Sequence, residues 1–380
     1  MPPTTILLAS VLKPLDDTRM FGKFGRTLAE RPGIQVHVAG RRAPHPPDAP
    51  ANLHTHELLV GSRLSWQRLA AQWRYWRLLQ RVQPQLVVVH APELLPLARL
   101  WCSQGRERHF IYDVRENYAL NILTQQVYPQ ALRQLLARLV RRIETTAARQ
   151  AAALVLAERS YAGELPFAEP ARTVVLENKY QSPPGEPLPA ARHVLPLPPA
   201  PLELLYSGTI SELNGVFDAI AFTHAFRRAW PTARLTIIGF CQQPEVLRRL
   251  EQAVAAAPNV LTLIGGDQLV PHREVVQAIQ RSHLGLLPYR PHPSTWRCLP
   301  TKLFEYAAHG LPMLLPDNAL WLTTARAYGA ALRCADFAQP PAQQLAEELR
   351  QTRFYPQGAP EKVFWASEAT KLWAVVDAIR

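Results

Sequence analysis

Cysteine is scarce in this chain. Four occur in 380 residues, at positions 102, 241, 298 and 334, with no Cys-x-x-Cys pair among them. That scarcity fits a reducing compartment better than a disulfide framework or a zinc site. Long apolar runs are lacking as well: none approaches the roughly 20 residues that cross a bilayer. The first ten residues lack the basic start and apolar stretch of a signal peptide. A cytoplasmic location is therefore expected. Charged residues make up only 19% against 48% hydrophobic, which rules out wholesale disorder. At this length the chain should divide into about two domains, each with its own core.

Positive charge is present in excess, and it is unevenly placed. Residues 1–185 hold 24 Lys+Arg against 14 Asp+Glu, a net of +10. Subtracting from totals of 42 and 30 leaves 18 basic and 16 acidic residues, a net of +2 for the remainder. Two stretches carry much of the excess: 65–81 (SWQRLAAQWRYWRLLQR) and 132–149 (LRQLLARLVRRIETTAAR). Both read as amphipathic helices with arginine on one side and Leu, Trp or Ala on the other. Arginine with tryptophan suits a helix resting on an anionic membrane surface, peripheral to the inner membrane face. Taken alone, each stretch fits a solvated helix with its aromatics packed inward better; the charge asymmetry favours a membrane-proximal partner for the first half only. No nucleic-acid-binding motif is present, so a nucleic-acid partner is not expected.

Short apolar strands alternate with helical segments along the chain. Residues 4–10, 35–38, 86–89 (LVVV), 110–112, 153–156 and 173–176 read as strands, with helices at 17–30 and 92–101. A proline-rich break follows at 181–201, too poor in either periodicity to be an element. Beyond it the pattern restarts, with strands at 202–206, 235–238, 260–264 and 284–287 between helices at 217–228, 244–256 and 271–281. This predicts an α/β fold of two Rossmann-like, doubly wound parallel-sheet domains facing a cleft. The expected organisation is 1–185, a linker 186–201, a second domain 202–358 and a terminal helical segment 359–380.

The most informative stretch is 297–316, RCLPTKLFEYAAHGLPMLLP. Pro300 and Thr301 suit a helix start, with Thr301 as a cap. Leu303, Phe304, Ala307 and Ala308 recur at helical spacing, placing Glu305 within the first turns. Gly310 and Pro312 supply the stop, and Met313–Leu315 reads as a buried strand. In doubly wound sheets ligands collect at the strands' C-terminal ends, here Ser207-Gly208-Thr209, Gly239-Phe240, Gly265-Gly266-Asp267 and the loop 288–300. Small residues there admit a ligand to backbone N–H groups, and a helix N-terminus attracts an anion. Glu305, one turn inside, suits a vicinal diol such as a ribose. Together these features predict a nucleotide-diphosphate-sugar site.

At these residues the chain resembles the GT-B glycosyltransferases, in particular the family 4-like retaining enzymes of bacterial surface polysaccharide synthesis. PTKLFEYAAHGLPML is similar to that family's donor-site helix, whose pattern is E-A-M-A-x-G-x-P, and Glu305 falls on its ribose-binding glutamate. YSGTISELNGV (206–216) falls on the glycine turn that meets the diphosphate, LTIIGF on a middle strand, and VLENK places Asn178 at the end of the first domain's last strand. KVFWASEATKLWAVV (from Lys362) resembles the helix that crosses back onto the first domain.

The resemblance implies transfer of a sugar from a nucleotide-diphosphate sugar to a glycan or lipid-linked acceptor, with retention and with neither metal nor cofactor. It implies donor contacts from Glu305, Gly208, Thr209, Asn214, Gly239, Thr301 and Arg290, and it makes Arg297, Lys302 and Arg115 the candidate catalytic groups. HAPELLP and YDVRENY sit where the family places acceptor loops, pointing to Lys13, Arg19, His90, Glu93, Asp113 and Glu116. The chain departs from the pattern in three places. Arg297 stands where a second glutamate is common, the usual basic pair falls on Thr209 and Asn214, and an acceptor-side histidine falls on Arg115. A non-catalytic partner subunit and a nucleotide-sugar epimerase or hydrolase are the alternatives on the same fold. Asp16 and Asp17 read as a solvated helix start.

Overall fold

The computed structural model describes residues 3–61, 66–124, 129–183, 191, 195–196 and 200–379. The chain divides into two compact units, one of Met1–Gln181 with Trp365–Arg380 and the other of Ser182–Phe364. Most of the proline-rich break lies outside the described residues.

The first unit is built on a parallel sheet of β1 (Thr4–Pro14), β2 (Ile34–Arg41), β3 (Leu53–Leu59), β4 (Leu86–Val89), β5 (His109–Val114), β6 (Ala153–Leu156) and β7 (Thr173–Val175). Its spatial order is β3-β2-β1-β4-β5-β6-β7. Every residue of β4 is buried, as expected for a strand covered on both faces. Between β1 and β2 the chain forms a π-helical turn, Thr18–Gly25, and then α1 (Arg26–Ala29). The further helices are α2 (Gln67–Val82), α3 (Leu95–Ser103), α4 (Tyr118–Thr124), α5 (Gln130–Ala148) and α6 (Tyr161–Glu164).

The second unit is a parallel sheet of β8 (Leu202–Ile210), β9 (Ala233–Cys241), β10 (Leu261–Gly266), β11 (Leu284–Leu286), β12 (Met313–Leu315) and β13 (Ala331–Arg333). The order is β10-β9-β8-β11-β12-β13. Helices α7 (Val216–Phe226), α8 (Pro244–Ala256), α9 (His272–Arg281), α10 (Thr301–Ala308), α11 (Ala319–Arg326) and α12 (Ala342–Gln351) connect or follow these strands. The last helix, α13 (Ala366–Asp377), belongs to the first unit, where Trp365, Leu372, Val375 and Val376 join the core of β1, β2 and the π turn. The predicted α/β architecture of two parallel-sheet domains is the observed one. The sequence reading missed β3 and β13.

Both basic stretches are helical, from Gln67 in the first and up to Ala148 in the second, with Trp66 and Arg149 at the helix ends and Ser65 outside the described residues. Their apolar residues do not all turn inward. Trp66, Leu69 and Trp73 on or beside α2 are 87%, 65% and 58% exposed, and Leu135 and Leu139 of α5 are 63% and 51% exposed. Trp76, by contrast, faces Trp101 edge-on. No helix among the described residues is long and apolar enough to cross a membrane.

Candidate functional site

In the second unit the strand ends and the start of α10 assemble a compact charged cluster. Pro300 holds the position before α10 in extended backbone, and no side chain caps the helix. Thr301 is therefore the first helical residue and exposed, not the cap expected from its sequence context. The residues from Leu303 to Ala308 are all buried. One turn in, Glu305 receives Lys302 Nζ on Oε2 at 2.6 Å, the neighbour relation of residues three apart on a helix. Its Oε1 lies 2.6 Å from His272 Nε2, the first residue of α9. Burial by itself pushes the Glu305 carboxyl up, but the Lys302 charge and the His272 hydrogen bond outweigh it and hold the group at about 2. The carboxylate is ionised and almost sealed, whereas the His272 side chain remains 53% exposed.

The strand ends supply the wall against which this cluster rests. Gly208 has φ +104°, and a Cβ there would lie 2.8 Å from Lys302 Cε, so the lysine stem passes directly over the glycine. A Cβ on Gly239 would meet the Gly208 carbonyl oxygen at 1.7 Å. Only glycine permits both approaches. The turn after β8 is closed on itself: Tyr206 donates its hydroxyl to Thr209 O at 2.9 Å, and Asn214 Nδ2 donates to the same oxygen at 3.0 Å. Thr209 and Asn214 thus shape the turn. Beside it the buried Tyr306 and Ser207 hydroxyls lie 2.9 Å apart, and burial raises the Tyr306 hydroxyl far enough to keep it protonated.

Two further expected donor groups sit on the loop after β11, which packs against the turn after β8 through Arg290 N–H on Leu213 O at 2.9 Å. Arg290 is committed to Asp218 of α7 by two hydrogen bonds of 2.7 and 2.9 Å, which compensates the charge the sequence reading assigned to a phosphate. Arg297 is exposed on the turn ahead of α10. That turn is pinned by Asn318 Nδ2 on Trp296 O and by Trp321 Nε1 on Cys298 O, at 2.8 and 2.7 Å.

The first unit contains a second cluster of the same composition. Asp113, at the end of β5, accepts from Arg19 Nε at 2.9 Å and Arg19 Nη2 at 2.7 Å, and its Oδ2 is 2.7 Å from His90 Nδ1. Arg19 Nη1 donates onward to Leu176 O at 2.9 Å. Burial raises the Asp113 carboxyl, but the Arg19 charge and the His90 bond overcome it and leave the group well below the usual range. Burial also lowers His90, which stays a neutral imidazole.

Arg19, His90 and Asp113 are at most 1% exposed. The Arg19 guanidinium, the Asp113 carboxylate and His90 Nδ1 satisfy one another, while the buried His90 Nε2 has no hydrogen-bond partner among the described residues. Arg115 is likewise committed, donating to both oxygens of Asp17 at 2.8 and 3.1 Å. Asp17 is not solvated, because its Oδ1 also caps the π turn through Arg19 N and Met20 N. Of the remaining acceptor-side candidates, Lys13 pairs with Glu116 at 3.1 Å and Glu93 with Arg68 at 3.3 Å. All three keep side-chain surface exposed.

No protein-family model matches the chain, and no curated protein matches it. Solved structures do. Sucrose-phosphate synthase from Thermosynechococcus elongatus superposes with a TM-score of 0.62 at 14% identity, covering 99% of both chains. HepE from Anabaena, in complex with UDP and glucose, gives 0.62 at 12% identity over 99% of this chain and 100% of that one. WaaG, a glycosyltransferase involved in lipopolysaccharide biosynthesis, gives 0.61 at 13% identity over 98% and 95%. The fold is GT-B. Within this GT-B chain the residue the sequence left unmarked is His272, which stands 33 positions from Glu305 and meets it only in the folded second unit. Its one visible signal was its place just after a strand and at a helix start.

Proposed function

We propose that the chain is a glycosyltransferase that moves a sugar from a nucleotide-diphosphate sugar to a glycan or lipid-linked acceptor. The Lys302–Glu305–His272 cluster over Gly208 carries this reading. Lys302 supplies a cation, and the uncapped start of α10 supplies N–H groups and a positive helix end for a diphosphate. A carboxylate has about four lone-pair sites, so Glu305 can accept from a ribose diol beyond the bonds it already makes. With the carboxyl held at about 2, those sites are ionised throughout the neutral range.

Transfer with retention and without a metal is part of the same proposal. The protein then acts chiefly by stabilising the departing diphosphate and by positioning the acceptor hydroxyl, with the leaving phosphate taking that hydroxyl's proton. Acceptor contacts are assigned to Lys13, Glu93 and Glu116, the acceptor-side candidates that keep exposed surface. Docking on an anionic membrane surface through α2 and α5 is supported by their outward Trp66, Trp73, Leu135 and Leu139 among arginines.

A thermal-shift panel of nucleotide sugars, including UDP-glucose, tests the donor reading. A true donor stabilises the folded chain as its concentration exceeds its Kd. Absence of any stabilisation across the panel contradicts the proposal. Flotation with anionic vesicles that does not fall with salt contradicts the membrane assignment.

A further inference from the structure

We propose that His37 and His56 form a two-imidazole site for a divalent, imidazole-preferring metal ion such as zinc, at the β3 edge of the first unit's sheet. Parallel pairing sets His37 opposite His54 and Ala39 opposite His56. Residues two apart in a strand share a face, so the three imidazoles project from one face of the edge pair. There His37 Nδ1 lies 2.8 Å from His56 Nε2, and the two rings stack with centroids 5.1 Å apart. With His45 and His54 they line an open pocket of about 600 Å³. Four of the chain's 12 histidines thus meet at a place that has no part in the glycosyl-transfer reading.

The spacing fits a chelate. Two Zn–N bonds of about 2.0–2.1 Å at a tetrahedral angle put their nitrogens about 3.3 Å apart. Opening the pair by about half an ångström therefore admits an ion between the two nitrogens. Burial first, and then the neighbouring histidines and Arg81, hold both rings at about 4. Both are thus neutral imidazoles at neutral pH, the form that ligates metals.

Arg81 is the opposing group. Its Nη2 lies 3.4 Å from His56 Nδ1. A guanidinium can only donate, so this contact puts the His56 proton on Nε2, which donates it to His37 Nδ1. With an ion bound, His56 Nε2 becomes a ligand and the same proton sits on Nδ1, so the ring stays neutral and Arg81 withdraws. Arg81 is exposed in the last turn of α2 and can turn outward. His54 Nε2 is held by Gln35 Oε1 at 3.1 Å, and His45 Nδ1 by Thr55 Oγ1 at 3.2 Å. Among the described residues no group of three His, Cys, Asp or Glu side chains is set to hold an ion. The chain therefore supplies two ligands and water supplies the rest. Imidazoles without a carboxylate favour zinc, nickel or copper over magnesium or calcium. Such an ion takes no part in the transfer, whose donor cluster lies in the second unit.

Calorimetry on the full chain, without an affinity tag, tests the site with Zn2+ and with Mg2+ as the control. Zn2+ is expected to bind saturably, and Mg2+ at least about 100-fold more weakly. His37→Ala and His56→Ala should each weaken Zn2+ by about tenfold or more. The double variant should weaken it little further, because either loss leaves a single imidazole and the two effects are coupled. Arg81→Ala removes a like charge and should strengthen Zn2+ by a few-fold. Melting without metal reports that the variants fold. Histidine ring resonances give a second reading on the wild type, where two of them should shift and saturate together at one equivalent of Zn2+. The proposal is overturned if Zn2+ does not bind saturably, if no histidine resonance moves, or if Mg2+ binds as well. It is also overturned if either histidine variant, folded, binds Zn2+ as the wild type does.

Discussion

Each unit of this chain places a carboxylate between a cation and a histidine, and the two clusters differ in how far solvent can reach them. Arg19, Asp113 and His90 are sealed, with side chains at most 1% exposed. Lys302, Glu305 and His272 grade outward, from 8% at the carboxylate to 17% at the lysine and 53% at the histidine. The same groups thus serve opposite ends. The closed set ties the π turn after β1 to the ends of β5 and β7 and leaves His90 Nε2 without a hydrogen-bond partner among the described residues. The open set lies beside a glycine-lined strand edge, with the Lys302 stem over Gly208. Residue type alone does not mark a site; residue type with access does.

The largest expected effect lies in the closed cluster. Asp113→Ala leaves the Arg19 guanidinium buried without a counter-charge and should cost about 3–5 kcal/mol of stability, read by chemical unfolding. A loss below about 1 kcal/mol would show that the cluster is not the structural tie its burial implies. Next comes Glu305→Ala, which should weaken nucleotide-sugar binding by about 2–4 kcal/mol, on the order of 30- to 1000-fold. If instead it destabilises the fold as strongly as Asp113→Ala does, the distinction between the clusters fails.

The pH response sharpens the contrast between units. Glu305 is depressed from 4.5 to about 2, so its contribution to stability is fully present above pH 4.5 and is lost as pH falls through about 2. Glu144, on the buried face of α5, runs the other way. Burial raises it from 4.5 to about 7, despite a hydrogen bond from the Tyr112 hydroxyl. Its contribution is present below pH 4.5 and is lost as pH rises through about 7. Melting curves between pH 5 and 8 should therefore slope downward in the wild type and flatten in Glu144→Gln; parallel curves would contradict this. The smallest effect belongs to Arg290→Ala, which removes an exposed ion pair with Asp218 and should cost less than about 1 kcal/mol with donor affinity unchanged. A drop in donor affinity as large as that of Glu305→Ala would return Arg290 to the site.

Most of the fold could be read from the sequence because buried parallel strands are short apolar runs, LVVV of β4 above all. The missed strand β3, LHTHELL, has four polar residues in a row at the sheet edge, where His37 and His56 meet at 2.8 Å across β2 and β3. The other, β13, has only three residues. In the site, Lys302 and Glu305 were legible together because their contact is one helical turn. His272 was not, because its contact depends on tertiary packing. Nor could the sequence distinguish Arg19, His90 and Asp113 from ligand-facing groups: their burial is set by the π turn folding over the ends of β4 and β5.

The most direct test is isothermal titration of a nucleotide sugar that stabilises the wild type against three proteins: wild type, Glu305→Ala and Arg290→Ala. The account predicts an affinity loss of at least about 30-fold for Glu305→Ala and none for Arg290→Ala. Unchanged affinity in Glu305→Ala, with the variant folded, would contradict the assignment of the open cluster as the donor site.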